Sequence, residues 1–194
     1  MSNLLIVDLE STCWDPADRK QTLELMEVIE FGCVVCTSEG EIVASFSQLV
    51  RPLENPLLTD FCIKLTGISQ EMVDSAPRYE EAVNLVSARL KSYEIECWLS
   101  WGEYDRNHLI SHQARSGVSP SFLVSTYINL KDVYRRFKGS RRKADAHRAL
   151  AKCGMVWEGS QHRAESDALN YARLVGPMSE IVKDIYKEKN SYSK

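Results

Sequence analysis

The sequence has no long apolar run and no strong excess of either charge. No segment approaches the roughly 18 consecutive apolar residues that a membrane-spanning helix requires. The first residues also lack the charged start and apolar core of a secretion signal. The formal net charge of −3 argues against a broad electrostatic attraction to nucleic acid. We therefore expect a cytoplasmic protein with no membrane partner.

A disulfide framework or a zinc site also lacks support, although six cysteines are present. Cys33 and Cys36 form a CxxC pair, but they lie in a strand-like segment, where residues three apart face opposite sides. No second pair follows at the spacing of a zinc site. We expect buried, reduced thiols at all six positions: Cys13, Cys33, Cys36, Cys62, Cys97 and Cys153.

The 194 residues suffice for one substantial domain. We predict a single domain over residues 1–187 and a frayed tail over residues 188–194. Apolar runs between turn residues predict five strands, at residues 3–9, 27–37, 42–51, 97–101 and 128–130. Helical spacing of apolar residues predicts helices at residues 59–65, 69–73, 77–92, 104–116, 131–137, 144–153 and 164–187. A hairpin followed by β-α-β units indicates an α/β fold, with a mixed five-stranded sheet flanked by helices on both faces.

Two acidic side chains end the first predicted strand. Asp8 and Glu10 are two residues apart, so in a strand they project from the same face. Neighbouring carboxylates repel one another and are costly near a core unless a cation compensates them. Mg²⁺ and Mn²⁺ prefer such oxygen ligands. The alternative is a strand that runs out into solvent with two exposed acids.

Three further polar residues give weaker local signals. Asp105 follows the fourth predicted strand, but an Asp in the first turn of a helix also interacts favourably with the helix dipole. His162 precedes the last predicted helix, and Asp167 lies one turn inside it. A histidine can accept a proton in hydrolysis, although a lone loop histidine is more often structural. All five side chains can converge at one edge of the sheet, the arrangement that two-metal phosphodiester cleavage requires.

The segments around these residues resemble those of one family. IVDLEST, SWGEYD and HRAESDALNYA are similar to the three exonuclease motifs of the DEDDh group, which includes RNase T and polymerase proofreading domains. STCW, EVIEFG, FCIKLTGIS and EGSQHRA are similar to its Eri-type, RNA-directed branch. The resemblance runs from Leu4 to about Val175, in the expected order.

This resemblance implies a ribonuclease H-like fold and a 3′→5′ exonuclease that uses two divalent metal ions, Mg²⁺ or Mn²⁺. It implies that Asp8, Glu10 and Asp167 bind one metal, and that Asp8 also binds the second, which Asp105 supports through water. His162 would accept the proton of the attacking water. The substrates would be single-stranded RNA or DNA 3′ ends, with RNA favoured, the products nucleoside monophosphates, and a partner could direct targeting.

Five side chains are candidates for substrate contact. Thr12 and Trp14 follow the metal-binding acids, and an aromatic ring can stack on a base. Packing as a loop anchor is the alternative for Trp14. Leu65 and Ile68 match apolar family positions that wedge against bases. Trp101 is the fifth candidate, although we favour a core position for its ring.

Two other features and two other functions stay open. His108 and His112 are four residues apart on a predicted helix, as zinc ligands can be, but a half-exposed helix face is the better interpretation. The Lys- and Arg-rich segment 135–148 is either a local phosphate-binding face or an ordinary solvated surface. The competing functions are a nucleic-acid-binding module without turnover and a phosphatase with an aspartyl intermediate, which gives His162 no role.

Overall fold

A mixed five-stranded sheet forms the centre of the computed structural model, which describes residues 3–18, 20–139 and 145–191. Its strands are β1 (Asn3–Ser11), β2 (Val28–Thr37), β3 (Ile42–Leu49), β4 (Ile95–Ser100) and β5 (Thr126–Asn129). They lie in the order β3-β2-β1-β4-β5. Neighbours among β1, β2 and β3 are antiparallel, whereas β4 is parallel to both β1 and β5. The predicted mixed sheet is therefore confirmed.

The helices mostly match the predicted segments. The α-helices are α1 (Asp60–Thr66), α2 (Gln70–Asp74), α3 (Tyr79–Leu90), α4 (Tyr104–Ser116), α5 (Leu130–Lys138), α6 (Ala146–Lys152), α7 (Ala164–Arg173) and α8 (Ser179–Ser191). Short 3₁₀ helices span Ser121–Val124 and Gly176–Met178. None of these described helices is both long and apolar enough to cross a bilayer.

The single helix predicted over residues 164–187 is wrong, because the structure divides it into α7 and α8. Pro177 lies in the 3₁₀ turn between them. Proline has no backbone N–H, and its ring obstructs the interior of an α-helix. α8 continues to Ser191, so residues 188–191 of the predicted tail are helical. Residues 192–194 lie outside the described part of the chain.

Successive side chains of β1 point to opposite faces of the sheet and pack into two apolar layers. Leu4 and Ile6 face the layer that contains α5 to α8, whereas Leu5 and Val7 face the layer that contains α3 and α4. Helices therefore cover both faces of the sheet, as predicted. Because side chains alternate along a strand, Asp8 continues the series of Leu4 and Ile6 and lies on the face covered by α7.

The N-terminus of α7 packs closely on β2 at Gly32. A Cβ atom added there would overlap the backbone of Ala164 and Glu165, the first two residues of α7. Gly32 is also the partner of Asp8 in the register of the sheet. The absence of a side chain at Gly32 thus lets α7 begin directly beside the acidic end of β1.

A third apolar cluster joins α1 and α2 to the segment after β1. The N-cap residue of α1, Thr59, accepts from the Cys62 N–H and donates a hydrogen bond of 2.6 Å to the carbonyl oxygen of Cys13. The chain that follows Glu10 is therefore fixed against α1. All six cysteines are free. The predicted burial is confirmed at five of them and is wrong at Cys153, which is half-buried.

Candidate active site

The C-terminal end of β1 carries two buried acids, at a place where β1 is paired with a neighbouring strand on one side only. β4 pairs with residues 3–6 of β1, while β2 continues to pair with β1 as far as Ser11. The β4 side of β1 is therefore open beyond Ile6. Asp8 and Glu10 are both buried at this half-open end, and they share one face because they are two residues apart.

Asp105 reaches the open edge of β1 from the first turn of α4. Its Oδ1 atom accepts a hydrogen bond from the backbone N–H of Leu9, with an N···O distance of 3.1 Å. This N–H is available because β4 no longer pairs with β1 at that point. Leu9 lies between Asp8 and Glu10, so the bond fixes a third buried acid beside the first two.

Asp167 and His162 come from α7 and from the turn before it. His162 has a φ of 59°, in the left-handed region that non-glycine residues rarely occupy. Its backbone N–H donates to Oδ2 of Asp167 over 3.3 Å. The other carboxylate oxygen of Asp167, Oδ1, is buried without a hydrogen-bond partner among the described residues. A buried acceptor without a partner is costly, which makes this atom a candidate ligand for a cation.

These side chains meet at one point. Glu10, His162 and Asp167 each offer a ligand atom, and these atoms lie within 4.8 Å of one another. Among the residues that the structure describes, this is the one group of three or more potential metal ligands. Asp8 and Asp105 lie close enough for their charges to act on the same group, because both contribute to the repulsion among the acids.

Burial raises the pKa of every carboxyl group in the site. The pKa of Glu10 rises to about 9, because burial is reinforced by repulsion from Asp167. Burial raises the pKa of Asp105 and that of Asp167 to about 7. At Asp8, burial and then repulsion from Asp105 raise the pKa well above its ordinary value. A divalent cation would cancel this repulsion, and carboxylate oxygens are the ligands that Mg²⁺ and Mn²⁺ prefer.

A cleft of about 900 Å³ opens over the acids. It is lined by all five predicted catalytic side chains: Asp8, Glu10, Asp105, His162 and Asp167. Leu65 and Trp101, two of the predicted substrate contacts, also line it, and 38% of Leu65 is exposed. Trp101 stacks on Tyr171 with ring centroids 5.7 Å apart. Its ring therefore belongs both to the apolar layer and to the wall of the cleft.

The other three predicted substrate contacts do not line this cleft. Ile68 is fully buried, and Trp14 is buried with it in the apolar cluster of α1 and α2. Thr12 is buried too, and its hydroxyl accepts a hydrogen bond of 2.9 Å from the Glu27 N–H. Thr12 and Trp14 line a separate depression beside residues 55–59. The alternative of a packed loop anchor describes Trp14 better than stacking on a base.

Sequence reasoning missed a cation in the cleft. Lys131 lines the cleft and lies near Asp105, where its charge opposes the rise that burial causes in the Asp105 pKa. It is the second residue of α5, directly after the end of β5. Residues that follow the ends of parallel strands gather at one edge of a sheet. That rule, applied to the fifth strand as it was to the first and fourth, would have found Lys131.

The half-exposed helix face predicted for His108 and His112 is wrong. Both rings are buried, and they stack on one another with centroids 5.5 Å apart. Tyr79 stacks on His112 at 4.1 Å, and Nε2 of His112 accepts from the Val28 N–H. Burial lowers the pKa of His108 to about 4 and that of His112 to about 3. These histidines are therefore neutral members of an aromatic stack on α4.

The basic segment 135–148 is described only in part, because residues 140–144 lie outside the described chain. Arg135 forms an ion pair with Asp132, and Arg136 pairs with Glu188, both over less than 3 Å. These two arginines are thus engaged at the protein surface. The choice between a phosphate-binding face and an ordinary solvated surface stays open for the rest of the segment.

Comparisons with known proteins indicate one family. Residues 5–175 match the family model of the RNase T family, described as exonuclease. The chain is 34% identical over 181 residues to the 3′-5′ exoribonuclease 1 of Mus musculus, covering 88% of this chain and 51% of that protein. It is 29% identical over 197 residues to the ERI1 exoribonuclease 2 of Xenopus laevis, covering 90% of this chain and 28% of that protein.

A solved structure supports the same relationship. The nuclease domain of 3′hExo, a DEDDh family member bound to rAMP, superposes with a TM-score of 0.80 and 30% identity. The match covers 94% of this chain and 92% of that domain. It confirms the ribonuclease H-like fold that the sequence motifs implied. The chain spans about half the length of one curated relative above and less than a third of the other.

Proposed function

This chain belongs to the RNase T exonuclease family, and we propose that it is a metal-dependent 3′→5′ exonuclease. It would hydrolyse the terminal phosphodiester of single-stranded nucleic acid at the 3′ end and release nucleoside monophosphates. The meeting of four buried carboxylates and a histidine in one cleft carries this proposal. The names of the related exoribonucleases, and the rAMP bound to the solved nuclease domain, favour RNA over DNA as the substrate.

The acids fit a pair of divalent cations, Mg²⁺ or Mn²⁺. Such ions, when bound, would stabilise negative charge on the attacking and leaving oxygens of the phosphodiester. Asp8, Glu10 and Asp167 would hold one ion, Asp8 would also hold the other, and Asp105 would support the second. The buried Oδ1 atom of Asp167, which has no described hydrogen-bond partner, supports this assignment.

His162 would act as the general base. Its side chain lines the cleft, and one of its ring nitrogens lies within 4.8 Å of ligand atoms of Glu10 and Asp167. From there it would accept the proton of the attacking water, a role for which imidazole suits neutral pH. Leu65 and Trp101 would contact the terminal nucleotide, because both line the same cleft.

A labelling assay tests the direction and the chemistry together. With Mg²⁺ or Mn²⁺, a 3′-labelled single-stranded oligonucleotide should release its label as a mononucleotide at once. The 5′-labelled oligonucleotide should instead give a ladder of shorter labelled products, and EDTA should stop both reactions. Early release of the 5′ label would contradict the proposed direction. Tight binding without any cleavage would favour the module without turnover.

Matched RNA and DNA oligonucleotides of one sequence test the substrate preference. Discrimination between them depends on contacts to the 2′-hydroxyl, so faster turnover of RNA is the expected result. We further propose that residues 1–187 act as one domain, that a partner directs targeting, and that the protein is cytoplasmic. Limited proteolysis and imaging of a tagged full chain would test the first and last of these.

A further inference from the structure

A fifth carboxylate, Glu30, lies beside the site but takes no part in the proposed chemistry. It is fully buried on β2, where it is the register partner of Glu10. A buried carboxylate is costly unless its oxygens are hydrogen-bonded or paired with a charge. The partners of Glu30 therefore indicate what this side chain does.

Both oxygens of Glu30 are occupied by donors from other elements. Oε1 accepts from the hydroxyl of Ser47 at 2.6 Å and from Nη2 of Arg163 at 2.8 Å. Oε2 accepts from Nε of Arg163 at 3.2 Å and from the backbone N–H of Ala164 at 2.9 Å. A two-point guanidinium contact fixes direction as well as distance. Glu30 thus forms hydrogen bonds with the two residues that directly follow His162. Ser47 on β3 in turn holds the Glu30 carboxylate.

His162 needs such support, because its backbone is left-handed with a φ of 59°. A non-glycine residue keeps this conformation only where the surrounding structure determines it. On one side the His162 N–H is bonded to Asp167. On the other side Arg163 and Ala164 are bonded to Glu30. His162 is therefore held between two carboxylates, of which only Asp167 belongs to the proposed metal site.

We propose that Glu30 is a positioning residue, which sets the place of the His162 imidazole by holding Arg163 and Ala164. This inference rests on the proposed function, in which His162 is the general base. Glu30 touches neither substrate nor metal in this account. Gly32, two residues later on β2, completes the contact by letting the backbone of Ala164 and Glu165 lie against the strand.

Steady-state kinetics of Glu30→Gln in saturating Mg²⁺ tests the proposal. A displacement of about 1 Å can cost about 10²-fold in rate, so kcat should fall by about that factor while KM stays unchanged. The dependence of the rate on Mn²⁺ concentration is measured in Arg163→Lys instead, because Glu30→Gln removes a charge that acts on Asp8, Glu10 and Asp167. Glu27→Gln is the matched control. Glu27 is another buried carboxylate, and it accepts backbone N–H groups from residues 53–55, away from the cleft.

A double-mutant cycle separates positioning from general loss of structure. In a His162→Ala background, Glu30→Gln should cause no further loss of kcat, because the group that it positions is gone. An equal loss in both backgrounds, or an equal loss in Glu27→Gln, would overturn the proposal. A shift in the Mn²⁺ requirement of Arg163→Lys, which keeps both charges, would also overturn it, since it would assign the effect to Asp167. An inactive wild-type protein, or a His162→Ala variant with full activity, would instead contradict the proposed function.

Two additional measurements keep the test decisive if Glu30→Gln fails to fold. Arg163→Lys keeps the charge but loses the two-point contact with Glu30, and Arg163 is a third exposed. It should reproduce the fall in kcat and the non-additivity with His162→Ala, and full activity would contradict the proposal. In the metal-free protein, amide hydrogen exchange over residues 161–165 should be faster in Arg163→Lys than in Glu27→Gln. Unchanged exchange there would also contradict it.

Discussion

The backbone N–H of Leu9 donates a hydrogen bond of 3.1 Å to Oδ1 of Asp105, two residues that are 96 positions apart in the chain. This bond joins the first turn of α4 to the unpaired edge of β1. It holds Asp105 next to Asp8 and Glu10 through the backbone of β1. The charge of Asp105 and its hydrogen bond can therefore be removed separately.

Asp105→Asn should lose most of the nuclease activity without any loss of stability. The amide oxygen of Asn can still accept from Leu9, but the charge that would support a metal ion is gone. Asp105→Ala should lose activity and also about 1–3 kcal/mol of stability, because the buried N–H of Leu9 loses its acceptor. Oligonucleotide turnover and urea unfolding measure the two effects. Full activity in Asp105→Asn would contradict a role for this charge.

The metal-free protein should become less stable as the pH rises from about 7 to about 9. The pKa of Asp105, of Asp167 and of Glu10 is raised by burial, to about 7, 7 and 9, above ordinary values of 3.8 and 4.5. Their protons thus bind more tightly to the folded chain. This stabilisation is complete below the ordinary values and declines above them until the folded value is passed. Asp105 and Asp167 therefore lose theirs by about pH 7, and Glu10 causes the fall that continues to about pH 9. Thermal unfolding in EDTA across this range measures it.

Added Mg²⁺ should raise the melting temperature more at the alkaline end of that range, because the ion competes with protons for the same oxygens. Asp167→Asn should weaken both the pH dependence and the response to Mg²⁺. The titration of His108 and His112 lies outside this pH range, because burial lowers the pKa of both. Their effect on stability is confined to lower pH. A melting temperature that does not change from neutral to alkaline pH would contradict the assignment of buried, uncompensated acids.

Gly32→Ala should destabilise the protein and abolish activity together. The added methyl group would overlap the backbone of Ala164 and Glu165, and forcing extra volume into a packed contact costs about 1–3 kcal/mol. Because α7 must move, His162 and Asp167 move with it. Urea unfolding and oligonucleotide turnover report the two changes.

Gly117→Ala is the control for that substitution. Gly117 ends α4 with a φ of 71°, and a Cβ atom added there meets no other atom within 4 Å. A left-handed alanine costs about 1–2 kcal/mol, which is comparable to the cost at Gly32. Activity should nevertheless survive. If both variants lost activity equally, the loss in Gly32→Ala would reflect stability alone.

Lys131→Gln should raise KM for the oligonucleotide and make it less sensitive to salt. Lys131 lines the cleft near Asp105, and we expect its ammonium group to meet a substrate phosphate. Each such contact to a single strand contributes about 0.7 to the slope of log affinity against log salt. The slope should fall by about that amount. Arg136→Gln is the control, since Arg136 pairs with Glu188, and an identical slope in Lys131→Gln and wild type would contradict the contact.

The parts of the fold that follow from local periodicity could be predicted. Alternation places Asp8 and Glu10 on one face of β1 from the sequence alone, and helical spacing locates most helices. The histidine stack on α4 was missed because a histidine four residues from another fits a buried face and a half-exposed one equally. The break between α7 and α8 was available in the sequence, since Pro177 cannot continue a helix.

Glu30 shows what local pattern cannot supply. In the sequence it is one polar residue within an apolar strand, and its partners Arg163 and Ala164 lie more than 130 positions away. Nothing near Glu30 along the chain indicates that pairing. Its part in the site depends on how α7 sits on β2, and that contact depends in turn on Gly32. Such a chain of dependence exists only in the folded protein.

The four buried acids lower the stability of the metal-free fold, although the proposed activity depends on them. Each is kept from water beside like charges, so the folded chain without cations is least favourable at the place where the proposed reaction occurs. Replacing Asp8 with Asn would relieve repulsion and would be expected to stabilise the metal-free fold while ending catalysis. No requirement of folding accounts for four carboxylates at this position. The proposed reaction would require them, and the burial of the apolar layers around them offsets their cost in stability.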